Sequence, residues 1–214
     1  MGLDVGAVRV FRFNTAEGTW EQVGQRLTGM EARDQFGWNP CLGSNNQTQD
    51  GNSELILAAA LSARDSNTGI VLAFRFNDTS QEWEPMGGES LVGEADWDCF
   101  GTSLDFSGNG LILAAGSPLA DNNATGDMDA GSVRAFAYNR TTDTWEQMGQ
   151  TIMGENENDF WGASLALSSD GMTLAASAPF HDIDAAEDDD AGQVRIFRYH
   201  SPSNQWEQLG QEFL

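Results

Sequence analysis

Clusters of acidic side chains are the groups in this sequence whose type and spacing could do chemistry. Three aspartates, Asp121, Asp127 and Asp129, precede Gly131, and a denser acidic run precedes Gly192. That run consists of Asp182, Asp184, Glu187, Asp188, Asp189 and Asp190. Neighbouring carboxylates repel one another, and a hard cation such as Ca²⁺ relieves the repulsion by binding their oxygens. The two segments therefore predict low-affinity calcium loops, and the alternative is a pair of solvated acidic loops.

Side chains suited to catalysis are few. The chain has two histidines, His181 and His200, and it has no nucleophile elbow, phosphate-binding loop or His-x-x-x-His pair. His181 precedes Asp182 on the acidic run, which is typical of solvent-exposed surface. We therefore expect no enzymatic activity and no catalytic residues. The alternative is a hydrolase or lyase of polysaccharides that would use a pair of the many carboxylates.

The charge balance excludes several classes of partner. The 214 residues include 33 acidic side chains and 10 basic ones, all arginine, for a formal net charge of −23. Nucleic acids and anionic membrane surfaces are recognised by basic patches, so we expect neither as a partner. No apolar run approaches the ~20 residues of a membrane span, so we expect no direct membrane insertion. The apolar content of 40% predicts a folded chain.

Two residue types recur along the whole chain at one spacing. The tryptophans Trp20, Trp83, Trp145 and Trp206 are 63, 62 and 61 residues apart. The glycines Gly6, Gly69, Gly131 and Gly192 keep the same spacing. This period indicates a repeat architecture in which each unit packs on its neighbours. We expect the tryptophans to pack between units.

Each unit predicts four short strands and no long helix. The opening strand, for example residues 131–138, is apolar on both faces, and a returning strand begins at the repeated Trp-Glu pair. Two inner strands, for example residues 163–168 and 173–177, follow in the next segment. Their turns are Asp50-Gly51, Asn109-Gly110 and Asp170-Gly171, residues typical of tight hairpins with positive φ. Four strands covered on both faces favour a β-propeller, and a parallel β-solenoid is the competing all-β architecture.

A recurring aromatic-glycine pair carries a family resemblance. It stands at Phe36-Gly37, Phe100-Gly101 and Trp161-Gly162, and a Gly-Ala-Pro-like element follows at 116–118 and 177–179. In these residues the sequence resembles the FG-GAP repeats of the integrin α-subunit head, which implies antiparallel β-propeller blades. An aspartate precedes each pair by two residues, at Asp34, Asp98 and Asp159. We expect these aspartates to accept backbone hydrogen bonds in turns.

The strand count predicts an incomplete propeller within one repeat domain, residues 1–214. The expected units are a half blade at 6–24 and blades at about 34–87, 98–149 and 159–210. About three and a half blades leave open edges, so we expect a segment of a longer propeller and self-association through those edges.

The resemblance also implies a calcium site in the turn between inner strands. Asn46, Asp50 and Glu54 come nearest to the ligand spacing of the family. Asn46 also begins one of four glycosylation sequons, the others being at Asn77, Asn123 and Asn139. A glycosylated Asn46 would be a poor calcium ligand.

Together these patterns predict a calcium-supported binding or adhesion module for a protein or glycan ligand, with a purely structural repeat as a further alternative. The sequons and the resemblance favour an extracellular or cell-surface location. Cys41 and Cys99 are too few and too far apart for a thiol metal site, so we expect two separate buried thiols.

Overall fold

In a computed structural model, the chain folds into four antiparallel β-sheets that follow one another along the sequence. The structure describes residues 5–29, 31–45, 54–61, 67–182 and 190–211. All regular elements in these residues are β-strands. No helix within the described ranges is therefore long and apolar enough to cross a membrane.

The strands form one half blade and three full blades. The half blade contains β1 (Ala7–Asn14) and β2 (Thr19–Thr28). The first full blade contains β3 (Trp38–Asn45), β4 (Glu54–Leu61), β5 (Ile70–Asn77) and β6 (Glu82–Val92). The second contains β7 (Ser103–Phe106), β8 (Ile112–Ser117), β9 (Ser132–Asn139) and β10 (Thr144–Gln147), and β11 (Ile152–Met153) also pairs with β9. The third contains β12 (Ser164–Leu167), β13 (Thr173–Ala178), β14 (Gln193–His200) and β15 (Gln205–Gln208). This arrangement confirms the predicted all-β class with blades of four antiparallel strands.

The hydrophobic core lies between blades rather than inside any one of them. Three apolar clusters join the half blade to the first full blade, the first to the second, and the second to the third. The inner strands supply small side chains such as Ala58, Ala114 and Ala176, which are 0 to 2% exposed. Small residues allow neighbouring sheets to approach closely, so each blade is stabilised mainly by the next.

The repeated tryptophan forms the same contact at each boundary between blades. The indole Nε1 of Trp83 donates to the carbonyl of Val23 at 2.9 Å, and that of Trp206 donates to Met148 at 2.8 Å. Both side chains are 3% exposed, so the predicted packing between units is confirmed there. Trp20 is 68% exposed, and the prediction is wrong at this position because β2 has no described strand against its outer face.

The inner hairpin turns use glycine and side-chain caps together. Gly110 and Gly171 have φ of 66° and 73°, as the sequence predicted. Asn109 does not share the positive φ, and its Oδ1 instead accepts the N–H of Leu111 at 3.0 Å. Asp170 accepts the N–H of Met172 in the same way at 2.9 Å. These are therefore longer capped turns rather than two-residue hairpins. Asp50-Gly51 lies outside the described residues.

Candidate functional site

Loops at one edge of the blade array form the candidate functional site, which we call the loop face. It contains the described residues of the connections between blades and of the β4–β5, β8–β9 and β13–β14 loops. Backbone hydrogen bonds join these two kinds of loop. The N–H of Phe100 donates to Thr68 at 3.1 Å, and the N–H of Trp161 donates to Ala130 at 3.0 Å. The loops of each blade therefore form one continuous surface with the connection to the next blade.

The aromatic-glycine pairs anchor this surface to the core. Phe36, Phe100 and Trp161 are 3%, 1% and 0% exposed. Gly101 has a φ of 89°, and a Cβ atom there would lie 2.7 Å from the side chains of both Ala60 and Val71. Only glycine fits that backbone conformation and that space. The pair thus fixes where each connecting loop leaves the core.

Two of the three repeated aspartates, Asp34 and Asp98, have the structural role that the sequence predicted, whereas the carboxylate of Asp159 contacts the side chains of Asn156 and His181. Asp34 and Asp98, which are 0% and 6% exposed, each accept a backbone N–H at 2.8 Å through Oδ2. The donors are Glu31 and Ala95. Burial raises the pKa of Asp98, and the N–H groups of Ala95 and Glu94 oppose that shift. These carboxylates shape the connecting loops from within.

His181 does not lie on exposed acidic surface, so that expectation is wrong. The residue is 8% exposed, and its Nδ1 lies 2.9 Å from Oδ2 of Asp159. Its Nε2 lies 3.2 Å from Nε2 of Gln193, and the amide of Asn156 donates to the same Asp159 oxygen. A Gln193 donor at Nε2 requires the tautomer with its proton on Nδ1, directed at Asp159. The sequence could not indicate this pair because its members are 22 residues apart.

Two buried arginines, which sequence reasoning missed, lie beneath the loop face. The guanidinium of Arg134 stacks 4.3 Å from the ring centre of Phe100, and that of Arg195 stacks 4.1 Å from Trp161. Arg195 also pairs with Glu155 at 2.6 Å. Burial lowers the pKa of Arg134, and the charges of Glu94 and Asp98 oppose that shift. The signal in the sequence was a Val-Arg pair two residues after Gly131 and Gly192.

The ends of the two acidic loops are joined by the same kind of hydrogen bond. Oδ1 of Asp121 accepts the N–H of Asp129 at 3.0 Å, and Oδ1 of Asp182 accepts the N–H of Asp190 at 3.0 Å. Asp129 and Asp190 both have positive φ, at 51° and 44°. Burial and the charge of Asp121 raise the pKa of Asp129. The structure thus brings together the first and last aspartate of each predicted loop.

Asp127 lies inside the first acidic loop, where its carbonyl accepts the N–H of Asn122 at 2.8 Å. Asp184 and Asp188 of the second loop lie outside the described residues, as do Asn46 and Asp50 of the predicted turn site. Glu54, the third member of that turn site, lies at the opposite edge of the array, 3.6 Å from Arg140. Within the described part of the chain, no group of three or more His, Cys, Asp or Glu side chains is placed to hold a metal ion. Calcium binding stays a prediction.

The loop face also exposes large apolar side chains. Trp97 is 62% exposed, Met128 is 59% exposed and Phe180 is 46% exposed. All three lie on the connecting or inner loops rather than on strands. Phe180 is held by edge contact with Phe160, whose ring centre is 5.2 Å away. Exposed aromatic and methionine side chains within a polar rim are typical of interaction surfaces.

The two cysteines are free thiols and are partly buried. Burial raises the pKa of Cys41 to about 12 and also raises the pKa of Cys99. Both groups therefore remain protonated at neutral pH and are poor nucleophiles. Two separate thiols were expected, although they are less buried than the sequence suggested.

Comparison with known proteins supports the fold alone. No protein-family model and no curated protein matches the chain. A solved structure described as the Dos1 propeller is similar, with a TM-score of 0.50 and 9% sequence identity. The match covers 96% of this chain and 43% of that one, so this chain spans less than half the length of that structure. The chain therefore has a propeller-like fold, which in other proteins carries binding or structural roles.

Proposed function

We propose that this chain is a non-enzymatic, FG-GAP-like binding module that contacts a basic protein surface through its loop face. One observation carries the proposal. Trp97, Met128 and Phe180 are exposed together on an edge that also presents the acidic side chains of Asp96, Asp121 and Glu157. Apolar anchors supply contact energy, and a surrounding field of one sign selects partners of the opposite sign.

Charge supports a cationic partner. The formal net charge of the chain is −23, and two of its ten arginines, Arg134 and Arg195, are buried beneath the loop face against Glu94 and Glu155. Those buried cations stabilise the loops without presenting positive charge to a ligand. A strongly negative surface accelerates association with a basic partner, and salt weakens that effect.

The surroundings of His181 support a role without catalysis. Its ring nitrogens lie within hydrogen-bond distance of Asp159 and Gln193, and its surface is 8% exposed. A general base needs an accessible nitrogen within reach of the substrate proton. The His181–Asp159 pair instead ties the β13–β14 loop to the connection that precedes β12.

A glycan is the second candidate ligand because of Trp97. This indole is 62% exposed on the loop face, and a flat exposed indole can stack on the apolar face of a sugar ring. The calcium support and the extracellular location expected from the sequence belong to the same proposal. Asp121 and Asp182 would then each help to bind a cation within their own loop, and the cation would stiffen that loop.

Selection from a peptide-display library tests the proposal, with the wild-type chain as bait at about 0.15 M salt. We expect enrichment of peptides rich in Arg and Lys, and a loss of affinity on the order of 10-fold or more in the Trp97→Ala variant. Trp20→Ala is the matched control, because it removes an equally exposed indole from the opposite edge of the array. A glycan array probed with the same three proteins examines the second candidate.

Three outcomes would contradict the proposal. The first is that neither library yields a ligand, and the second is that every ligand binds the Trp97→Ala variant as well as the wild type. The third is binding that fails only in the Trp20→Ala variant, which would move the site away from the loop face. Glycan binding that depends on Trp97 and is insensitive to salt would favour the second candidate.

A further inference from the structure

We propose that two copies of this chain associate head to tail, with Trp20 of one copy seated on Leu209 and Gly210 of the other. The contact would repeat the one that already joins successive blades within the chain. The inference concerns the two ends of the blade array and is independent of the loop face.

The contact within the chain has two parts, a hydrogen bond and a glycine, and it recurs three times. The indole of each full blade donates to a carbonyl of the preceding outer strand, at Val23, Met86 and Met148, over distances of 2.9, 3.4 and 2.8 Å. The next residue in each case is a glycine with positive φ, at Gly24, Gly87 and Gly149. A Cβ atom on any of these glycines would lie 2.2 to 2.9 Å from the indole. Each glycine is thus a seat for the next tryptophan.

A glutamine completes the contact at two of the three boundaries. The side chain of Gln25 accepts the N–H of Trp83 at 2.7 Å and donates to its carbonyl at 2.8 Å. Gln150 does the same for Trp206, at 2.9 and 2.7 Å. The side-chain amide thereby satisfies both backbone groups of the tryptophan, which face away from the strand it pairs with. Gly88 takes this position at the middle boundary.

Trp20 packs on its neighbouring ring with the same geometry as the other three indoles, although no described glycine provides a seat for it. Its ring centre lies 5.3 Å from Phe13 with an angle of 59° between the ring planes. The corresponding pairs at Trp83, Trp145 and Trp206 have distances of 5.4, 5.2 and 5.3 Å and angles of 56°, 51° and 52°. The exposed indole is therefore preorganised, and little side-chain entropy would be lost on docking.

The last blade has the complementary feature, a seat at Leu209 and Gly210 on which no indole of the described residues lies. Leu209 continues the series Val23, Met86 and Met148, and its N–H donates to Ile196 at 2.7 Å as that of Met148 donates to Ala135 at 2.8 Å. Gly210 continues the glycine series with a φ of 77°, and no atom of the described residues lies within 4 Å of a Cβ atom built there. Gln211 occupies the position of Gln25 and Gln150. Leu209 is 47% exposed.

A second copy of this chain is the occupant that fits both ends at once. Indole and seat lie on opposite ends of the array, so their pairing is heterologous and repeats until a ring closes. Each copy contributes four blade positions, counting the half blade. Two copies give eight positions, which is within the range of about four to eight blades found in closed propellers. In a closed pair, Trp20 and Leu209 of both copies would be covered.

Measurement of molar mass by light scattering after size exclusion tests this inference. Both copies carry a charge of −23, so we would work at about 0.5 M salt, where repulsion is screened over a few ångströms. We expect twice the chain mass of 23.2 kDa for the wild type. Trp20→Ala should weaken association by about 30-fold, as expected for a central indole anchor.

Gly210→Asn should weaken association similarly, because asparagine tolerates positive φ while its side chain fills the seat. Two control variants match these changes. Trp97→Ala removes an exposed indole from the loop face, and Gly126→Asn adds the same side chain at another open glycine with a φ of 89°. Both should associate like the wild type.

Mixing the two interface variants gives the decisive result. The Trp20→Ala variant keeps an intact seat and the Gly210→Asn variant keeps an intact indole, so the mixture should form pairs that neither variant forms alone. A wild-type mass of one chain at every concentration would overturn the proposal. Association that survives both substitutions, or a mixture that stays monomeric, would also overturn it.

One substitution should strengthen the contact. Asn204 stands two residues before Trp206, and its Oδ1 accepts the N–H of Gly149 at 3.0 Å. Gly18 is the equivalent residue before Trp20. Gly18→Asn supplies that acceptor for the N–H of Gly210, so we expect tighter association by several-fold. Weaker association of this variant would contradict the assigned geometry.

Discussion

The half blade and the three full blades share one outer hairpin, yet its tryptophan has opposite surroundings in the two regions. Trp20 is 68% exposed, whereas Trp83 and Trp206 are each 3% exposed. The ring geometry with the neighbouring aromatic residue is nearly the same in all of them. Burial at this position is therefore a property of the neighbouring blade and not of the hairpin itself. A repeat protein of this kind is stabilised at its boundaries.

The largest difference between the two regions should appear when the indole is removed. Trp83→Ala leaves a cavity and deprives the Val23 carbonyl of its donor, so we expect a loss of about 3–5 kcal/mol in the free energy of unfolding. Trp20→Ala in the monomer should cost no more than about 0.5 kcal/mol, as is usual for an exposed side chain. Urea denaturation of both variants at low protein concentration measures the difference. Equal losses would refute the view that the boundary supplies the stability.

The glycine seats allow a second test of the same comparison. Gly87→Ala places a Cβ atom 2.2 Å from Cδ1 of Trp145, whereas the Cβ atom of Gly210→Ala has no described residue within 4 Å. Both residues have positive φ, so the backbone strain is common to the two variants. We expect Gly87→Ala to lose about 1–3 kcal/mol more than Gly210→Ala through overpacking. Similar denaturation midpoints would show that the indole moves aside without cost.

Calcium bound by the two acidic loops should act on the second and third full blades. The acidic loops belong to the second and third full blades, whereas Asn67 takes the place of Asp129 and Asp190 in the first. We expect 1 mM-scale Ca²⁺ to raise the melting temperature by several degrees relative to chelator at matched ionic strength, because a cation bound only by the folded state stabilises it. Mg²⁺ should not reproduce the shift.

Single substitutions then locate the ion. Asp188→Ala should remove the calcium shift if the loop before β14 binds, and Asp50→Ala should remove it if the inner turn binds. The absence of any shift in the wild type would leave both loops as solvated acidic surface. Hydrogen exchange at the half blade serves as the internal control, because its protection should not change with calcium.

The smallest expected effect is a contrast in pH dependence. Burial raises the pKa of Asp98, so its contribution to stability is present below the unfolded pKa and is lost as pH rises through the folded pKa. The Tyr138 hydroxyl and the N–H of Gly87 lower the pKa of Asp143, so its contribution is present above the unfolded pKa and is lost as pH falls through the folded value. Gly18 replaces that aspartate in the half blade.

Denaturation of the Asp98→Asn and Asp143→Asn variants between about pH 3 and 7 measures this contrast. Relative to wild type, Asp98→Asn should gain stability as pH rises, and Asp143→Asn should lose it. Parallel curves for the two variants would contradict the assigned surroundings of both carboxylates.

Much of the fold could be predicted from the sequence because its signals are local. Strand β9 begins one residue after its predicted start, because the repeated glycine at Gly131 marks that start directly. The capping role of Asp34 and Asp98 was also predictable, because each accepts a bond from three residues away. Such interactions need no knowledge of the neighbouring blade.

The rest of the candidate site could not be predicted because its contacts join distant residues. His181 meets Asp159 from 22 residues away, and Arg134 reaches the Val92 carbonyl from 42 residues away. Two of the four sequon asparagines also have a structural explanation. Asn77 and Asn139 each cap a hairpin turn by accepting two backbone N–H groups, so these two asparagines have a structural reason to be present.

The contact of each indole with the preceding outer strand has a consequence for synthesis of the protein. A blade that leaves the ribosome finds its seat already formed on the blade made before it, at Gly24 for Trp83 and then onward. Folding can thus proceed in the direction of translation, with each blade acting as a template for the next. On this view a fault in β2, which provides the seat for Trp83, should delay the first full blade and the blades that follow it.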